Sequence, residues 1–128
     1  MMKAIKTIKA PQAVGAYSQA LRAGEYLFTS GQISLVPETG KLVEGGIAAQ
    51  TTQVMENLKQ VLLAGGVNFH DVVKTTIYIV DMGDFVAVND VYEKYFSNNL
   101  PARSCVGVAS LPKEALVEIE VVAYCQHN

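Results

Sequence analysis

The sequence is poor in the residues that usually advertise chemistry. Its 128 residues include two cysteines, two histidines and two arginines, and only 17% of its side chains are charged. Cys105 and Cys125 stand in strand-like runs without CxxC spacing, which argues for reduced, packed thiols over a disulfide framework. His70 and His127 are too few and too far apart to suggest zinc, so no metal is expected. The net charge is −2 and the lysines are scattered, which removes the electrostatic footprint of a nucleic-acid binder. No segment approaches the roughly 20 uninterrupted apolar residues of a spanning helix. The opening Met1-Met-Lys-Ala-Ile-Lys6 lacks the apolar core of a secretion signal. A cytoplasmic protein without a membrane partner is the expectation.

What is there is apolar. Half the residues are hydrophobic, which is rich for a small monomer that must show most of its surface to water, and this predicts a homo-oligomer. Residues 1–128 read as a single domain, since no linker, repeat or low-complexity tract interrupts them. Short strands are predicted over 18–23 and 25–30 around the Ala23-Gly24 turn, and over 32–36 before the Pro37-Glu-Thr-Gly40 turn; a weaker strand signal surrounds Lys3. Over 47–63 Ile47, Val54, Met55, Leu58, Val61 and Leu62 share one helical face, and Gly65-Gly66 supplies a left-handed stop. A β-branched strand follows over 72–80. Asp84 then caps a second helix whose Phe85, Val88, Tyr92 and Phe96 share a side with Asn89.

Strands over 103–109 and 117–125 close the chain. In the last of them Val117, Ile119, Val121 and Ala123 alternate with Glu118, Glu120, Val122 and Tyr124, so one face is apolar and the other begins with two carboxylates. The order is that of an α+β fold in which both helices cover one face of a mixed sheet. The second face then needs cover from another subunit.

Arg103 is the most telling residue. It heads an apolar run in Pro101-Ala-Arg-Ser-Cys105, and a guanidinium cannot shed its charge, so burying it beside a core strand requires an anion. Two readings stand. Either Glu118 or Glu120 pairs with it inside the protein, or the anion is a ligand. Cys105, alternating through a strand with no adjacent histidine, reads as a small packed hydrophobe and not as a nucleophile. Tyr17 follows Gly15-Ala16 in a loop where an aromatic either packs or binds. Ser30 ends a strand at a turn, and Asn89 can bond backbone as readily as ligand.

Five motifs, in order and over essentially the full length, carry a resemblance: Gly15-Ala-Tyr-Ser-Gln-Ala20, Thr29-Ser-Gly-Gln32, Val88-Asn with Tyr92-Glu, Pro101-Ala-Arg-Ser-Cys105, and Glu118-Ile-Glu120. Together they resemble the YjgF/RidA family of enamine/imine deaminases. The resemblance implies a chorismate-mutase-like α+β fold and a homotrimer with its sheets facing the interior and clefts between neighbouring subunits. It implies hydrolysis of short 2-imino acids, such as 2-iminobutanoate and 2-iminopropanoate, to 2-oxo acids and ammonia, without a cofactor. By motif position Arg103 would hold the substrate carboxylate, Glu118 would position or activate water, and Tyr17, Ser30, Asn89 and Cys105 would line the cleft.

Residue type agrees with those roles. A guanidinium meets a carboxylate through two parallel hydrogen bonds, and one carboxyl group can deliver both water and proton to a C=N bond as its protonation changes. Three departures from the family pattern, Ala16, Gly107 and Ser110, fall on the cleft rim and bear on substrate range. Two other functions compete. One is a non-catalytic module that senses a small carboxylate and regulates a partner. The other, attached to some relatives, is an endoribonuclease or translation inhibitor, for which an acidic chain lacking a basic groove is poorly suited.

Overall fold

The computed structural model describes residues 2–97 and 99–126, which leaves His127 outside the description. Strands β1 (Met2–Ile5), β2 (Ala20–Ala23) and β3 (Tyr26–Thr29) precede helix α1 (Ile47–Ala64). Strand β4 (Val72–Ile79), helix α2 (Phe85–Tyr92), strand β5 (Ala102–Gly107) and strand β6 (Val117–Tyr124) follow. All six strands join one sheet in the order β1-β2-β3-β6-β4-β5. Only β4 and β5 run parallel, and α2 is the crossover such a pair requires. The α+β expectation with a mixed sheet and two helices is met, including the strand around Lys3.

The alternation in β6 builds the core. Val117, Ile119, Val121 and Ala123 are buried, and they meet Ile77 and Ile79 of β4 and Val54, Met55, Leu58, Val61 and Leu62 of α1. Each such aliphatic side chain contributes about 1.5–3 kcal/mol by leaving water. Helix α1 stops where its glycines allow. Gly66 takes a φ of 83°, its N–H donates to the Leu63 carbonyl and that of Val67 to the Leu62 carbonyl, each at 3.0 Å, while Val67 closes over the core. Gly65 is not left-handed; its φ is −87°.

Among the described residues, neither α1 nor α2 covers the second sheet face. Tyr26 and Phe28 of β3 are 45% and 46% exposed there, beside Val122 and Tyr124 of β6. The rings of Tyr26 and Tyr124 pack at a tilt of 52°, their centroids 5.4 Å apart.

Three local expectations are corrected. Residues 32–36 form no strand, because that segment touches β-structure only through single bridges, Gln32 to Ile119 and Leu35 to Leu42. Asp84 makes no capping bond; Asp81 does the work one turn earlier, its carboxylate accepting from Gly83 N–H at 2.8 Å. Phe96 lies past the end of α2, after a short 3-10 turn, yet still reaches the core and packs 4.7 Å from Tyr92.

Candidate active site

Arg103 is exposed in this chain, against the expectation of a buried cation, because β5 is the edge strand and neighbours only β4. Its pairing with Thr75 turns its side chain toward α2. There one guanidinium N–H donates to Asn89 Oδ1 at 2.7 Å, and the group lies over the rings of Phe85 and Tyr92, 5.2 and 5.1 Å from their centroids. Such stacking suits a planar, weakly hydrated cation and holds it flat. No carboxylate among the described residues pairs with it, so the internal ion pair with Glu118 or Glu120 does not form. Asn89 is in turn held by Glu93, to whose carboxylate it donates at 3.4 Å. These three residues, with Tyr92, Leu100 and Pro101, surround a cavity of about 460 Å³.

Glu118 faces the other way. It alternates with core residues on β6, and it lines a separate cavity of about 510 Å³ with Tyr17, Ser30, Gly31 and Lys113. Burial pushes its carboxyl above the ordinary carboxylate range, and the nearby Glu120 pushes it further. Gly31 makes room for it: a Cβ built on Gly31 would stand 2.7 Å from the Glu118 carboxyl carbon, so any side chain there would evict the carboxylate. Ser30 is spent on structure, its hydroxyl donating to the Ser18 carbonyl at 2.6 Å and its N–H to Gln19 O at 2.9 Å. Tyr17 is 53% exposed at the cavity mouth, where its hydroxyl accepts from Val14 N–H at 3.3 Å.

The predicted residues thus fall into two groups. Tyr17, Ser30 and Glu118 share one cavity, and Asn89 and Arg103 the other. Cys105 borders neither; it packs half-buried against the core, and burial raises its thiol despite the opposing pull of Arg103. Burial likewise raises the Tyr92 phenol, against the pull of its bond to Thr75 and of Arg103.

Sequence reasoning passed over several parts of the first cavity. Gln19, 2% exposed, donates to the carbonyls of Thr7, Ala10 and Pro11 and accepts from Thr7 N–H, which pins the 7–11 segment as a wall. Lys113 and Glu114 hold left-handed φ values of 56° and 59° in a turn whose Pro112 and Lys113 border the cavity. Non-glycine residues pay about 1–3 kcal/mol each for that backbone, a cost that clusters at functional sites. The signal for Gln19 and Gly31 was their place in the quoted motifs; the sequence marks a loop holding Leu111-Pro112-Lys113 between the last two strands, but not its left-handed backbone.

A six-stranded mixed sheet with both helices on one face is also the fold of solved structures of Rid proteins. A Rid family protein from Yersinia pestis superposes with a TM-score of 0.95 at 48% identity, over 97% of this chain and 99% of its own. Escherichia coli TdcF, solved with serine bound, gives 0.91 at 40% identity, over 95% and 98%. The family model described as Endoribonuclease L-PSP matches residues 7–125, and the chain belongs to that family, the YjgF/RidA family. A RutC family protein of Pyrococcus horikoshii is 49% identical over 97% of this chain and 98% of its own length. The rat 2-iminobutanoate/2-iminopropanoate deaminase is 48% identical over 94% and 88%.

Proposed function

We propose that this protein is an imine deaminase that hydrolyses short 2-imino acids, 2-iminobutanoate and 2-iminopropanoate among them, to 2-oxo acids and ammonia. The observation that carries this reading is the Arg103 guanidinium, held flat by Asn89, Phe85 and Tyr92 and left without a carboxylate partner. Deaminase relatives at 46–48% identity support it.

Arg103 takes the substrate carboxylate through paired charged hydrogen bonds. The protonated C=N is already an electrophile, so the protein's task is to deliver water and move protons. Glu118 in its carboxylate form removes a proton as water adds to the imine carbon. The resulting carboxylic acid returns the proton to nitrogen, and as the C–N bond breaks and ammonia departs, the remaining hydroxyl gives its proton to the Glu118 carboxylate, which passes it to the released ammonia, and becomes the 2-oxo group. A carboxyl raised toward neutrality suits both halves of this cycle. Arg103 and Glu118 act on one substrate when neighbouring copies each lend a face, and the open aromatic sheet face fits burial inside a homotrimer in the cytoplasm.

The test generates 2-iminobutanoate from threonine with a dehydratase and follows its decay. Decay faster than the uncatalysed rate, lost in Arg103→Ala, supports the reading; no acceleration overturns it. A small-carboxylate sensor is the second reading, favoured by the completeness of the Arg103 pocket within one chain. Wild-type protein that binds 2-oxobutanoate without any turnover would establish it. RNA cleavage has less support on a chain of net charge −2.

A further inference from the structure

The end of α2 sets two side chains in line with Arg103. The backbone N–H of Glu93 donates to the Asn89 carbonyl, so the two residues stand one helical turn apart and their side chains share a face. Asn89 uses both ends of its amide. Its Oδ1 accepts from the Arg103 guanidinium at 2.7 Å, and its NH₂ donates to the Glu93 carboxylate at 3.4 Å. All three residues border the cavity of about 460 Å³. Glu93 is itself anchored through its backbone, its carbonyl accepting from the N–H of the core residue Phe96 at 3.2 Å.

Charge fixes the direction of this chain of bonds. Turning the Asn89 amide over would set its NH₂ against a cation and its oxygen against an anion. Glu93 also pulls on the amide N–H, which polarises the group and strengthens its far bond to Arg103. An aspartate in place of Asn89 would hold the guanidinium as well, but it would neutralise it; the amide passes on the grip of a carboxylate without its charge. For stability alone Glu93 is ill placed. It is exposed, and it ends α2, where the helix dipole favours a cation.

We infer that Glu93 is a positioning residue which, acting through Asn89, aims the Arg103 guanidinium at the carboxylate of the ligand. This rests on the deaminase reading for the identity of the ligand. A free arginine side chain samples many rotamers, and a ligand that binds it must meet the cost of ordering it. Phe85 and Tyr92 fix the plane of the guanidinium, yet a flat group can still turn within its plane. The bond to Asn89 stops that turn. Glu93 supplies the second fixed point that keeps the Asn89 amide from swinging out to water, so the fork is set before the ligand arrives.

The experiment compares Glu93→Ala, which removes the acceptor, with Glu93→Gln, which keeps an acceptor and removes the charge. Calorimetric titration with 2-oxobutanoate reads affinity, and the decay of 2-iminobutanoate reads kcat and KM. Positioning predicts that Glu93→Ala weakens 2-oxobutanoate binding about three- to tenfold, the scale of one ordinary hydrogen bond, and raises KM more than it lowers kcat. Glu93→Gln should bind within about twofold of wild type, or tighter. Neither variant should have a lower Tm, because the residue is exposed. A carboxylate that merely repels the ligand predicts tighter binding in both variants, and a merely structural one predicts a lower Tm with affinity unchanged. Either result overturns the inference, as does Glu93→Gln binding as weakly as Glu93→Ala. Wild-type protein that binds no 2-oxobutanoate overturns it as well. Because calorimetry reads binding and not turnover, wild-type protein that binds 2-oxobutanoate but leaves imines untouched sinks the deaminase reading while the role of Glu93 is still tested.

Discussion

Arg103 and Glu118 leave one sheet on opposite faces. Arg103 lies over α2, on the side of the core, while Glu118 alternates with core residues and points away from them. Within a single chain the two cannot meet on a substrate of a few atoms. On the function proposed above, each would be half of a site that an oligomer completes.

Complementation follows from that geometry. Arg103→Ala and Glu118→Gln should each be inactive alone. When the two are co-expressed and mix at random in a cyclic assembly, about a quarter of the sites receive an intact Arg103 from one copy and an intact Glu118 from its neighbour. Deaminase activity at roughly that fraction of wild type is expected, and rates no higher than the parents' would refute a shared site.

Gly31 is the second target. The methyl of Gly31→Ala would stand 2.7 Å from the Glu118 carboxyl carbon, so the glutamate must rotate away. Turnover should fall about tenfold or more, as expected when a catalytic group is displaced by an ångström or so. Gly31 has no left-handed φ, so the backbone should tolerate the change and the Tm should move little. A crystal structure of the variant should show the carboxyl displaced.

The carboxyl of Glu118 also bears on stability. Burial first, then Glu120, raises its folded-state value above that of the unfolded chain. The folded protein therefore holds a proton that the unfolded chain has released, and stability is lost as pH rises from the unfolded carboxyl value through the folded one. Glu118→Gln removes this loss. Its Tm should exceed that of wild type at pH 7, and the gap should close as pH falls below 4.5, the ordinary carboxyl value. Equal Tm values across that range would contradict the assignment. Glu120→Gln should lower the pH at which Glu118 titrates, read by carbon-13 NMR of its carboxyl.

Two buried hydroxyls make a matched pair. Thr75, fully buried, shares a 2.8 Å hydrogen bond with the Tyr92 hydroxyl, whereas Ser34 Oγ, also fully buried, has no partner among the described residues. Tyr92→Phe should cost about 1–3 kcal/mol by stranding the Thr75 hydroxyl, while its ring stays under Arg103 and activity holds within about twofold. Ser34→Ala should be neutral or stabilising by about 1 kcal/mol or less, since it removes an unmet group. Denaturant unfolding measures both.

Periodicity alone was enough for α1, because Val54, Met55, Leu58, Val61 and Leu62 repeat at the helical interval and Gly66 can take the left-handed φ that ends it. It was enough for β6, whose alternation names its buried face outright. It failed over 32–36, where strand-like composition meets no neighbouring strand to pair with, and at Asp84, which ends a 3-10 turn capped by Asp81 and makes no capping bond of its own. Local pattern reports which face of an element is apolar, and it carries no information about what lies across the sheet.

Residue type therefore determined that a permanently charged fork and a carboxyl stand in this chain, together with the helices, the strands and the motif frame around them. Tertiary structure alone decided that the fork is exposed at an edge, that the two groups sit on opposite faces and that Gly31 yields its space to Glu118. These depend on strand order and register, which are set by contacts between residues far apart in the chain.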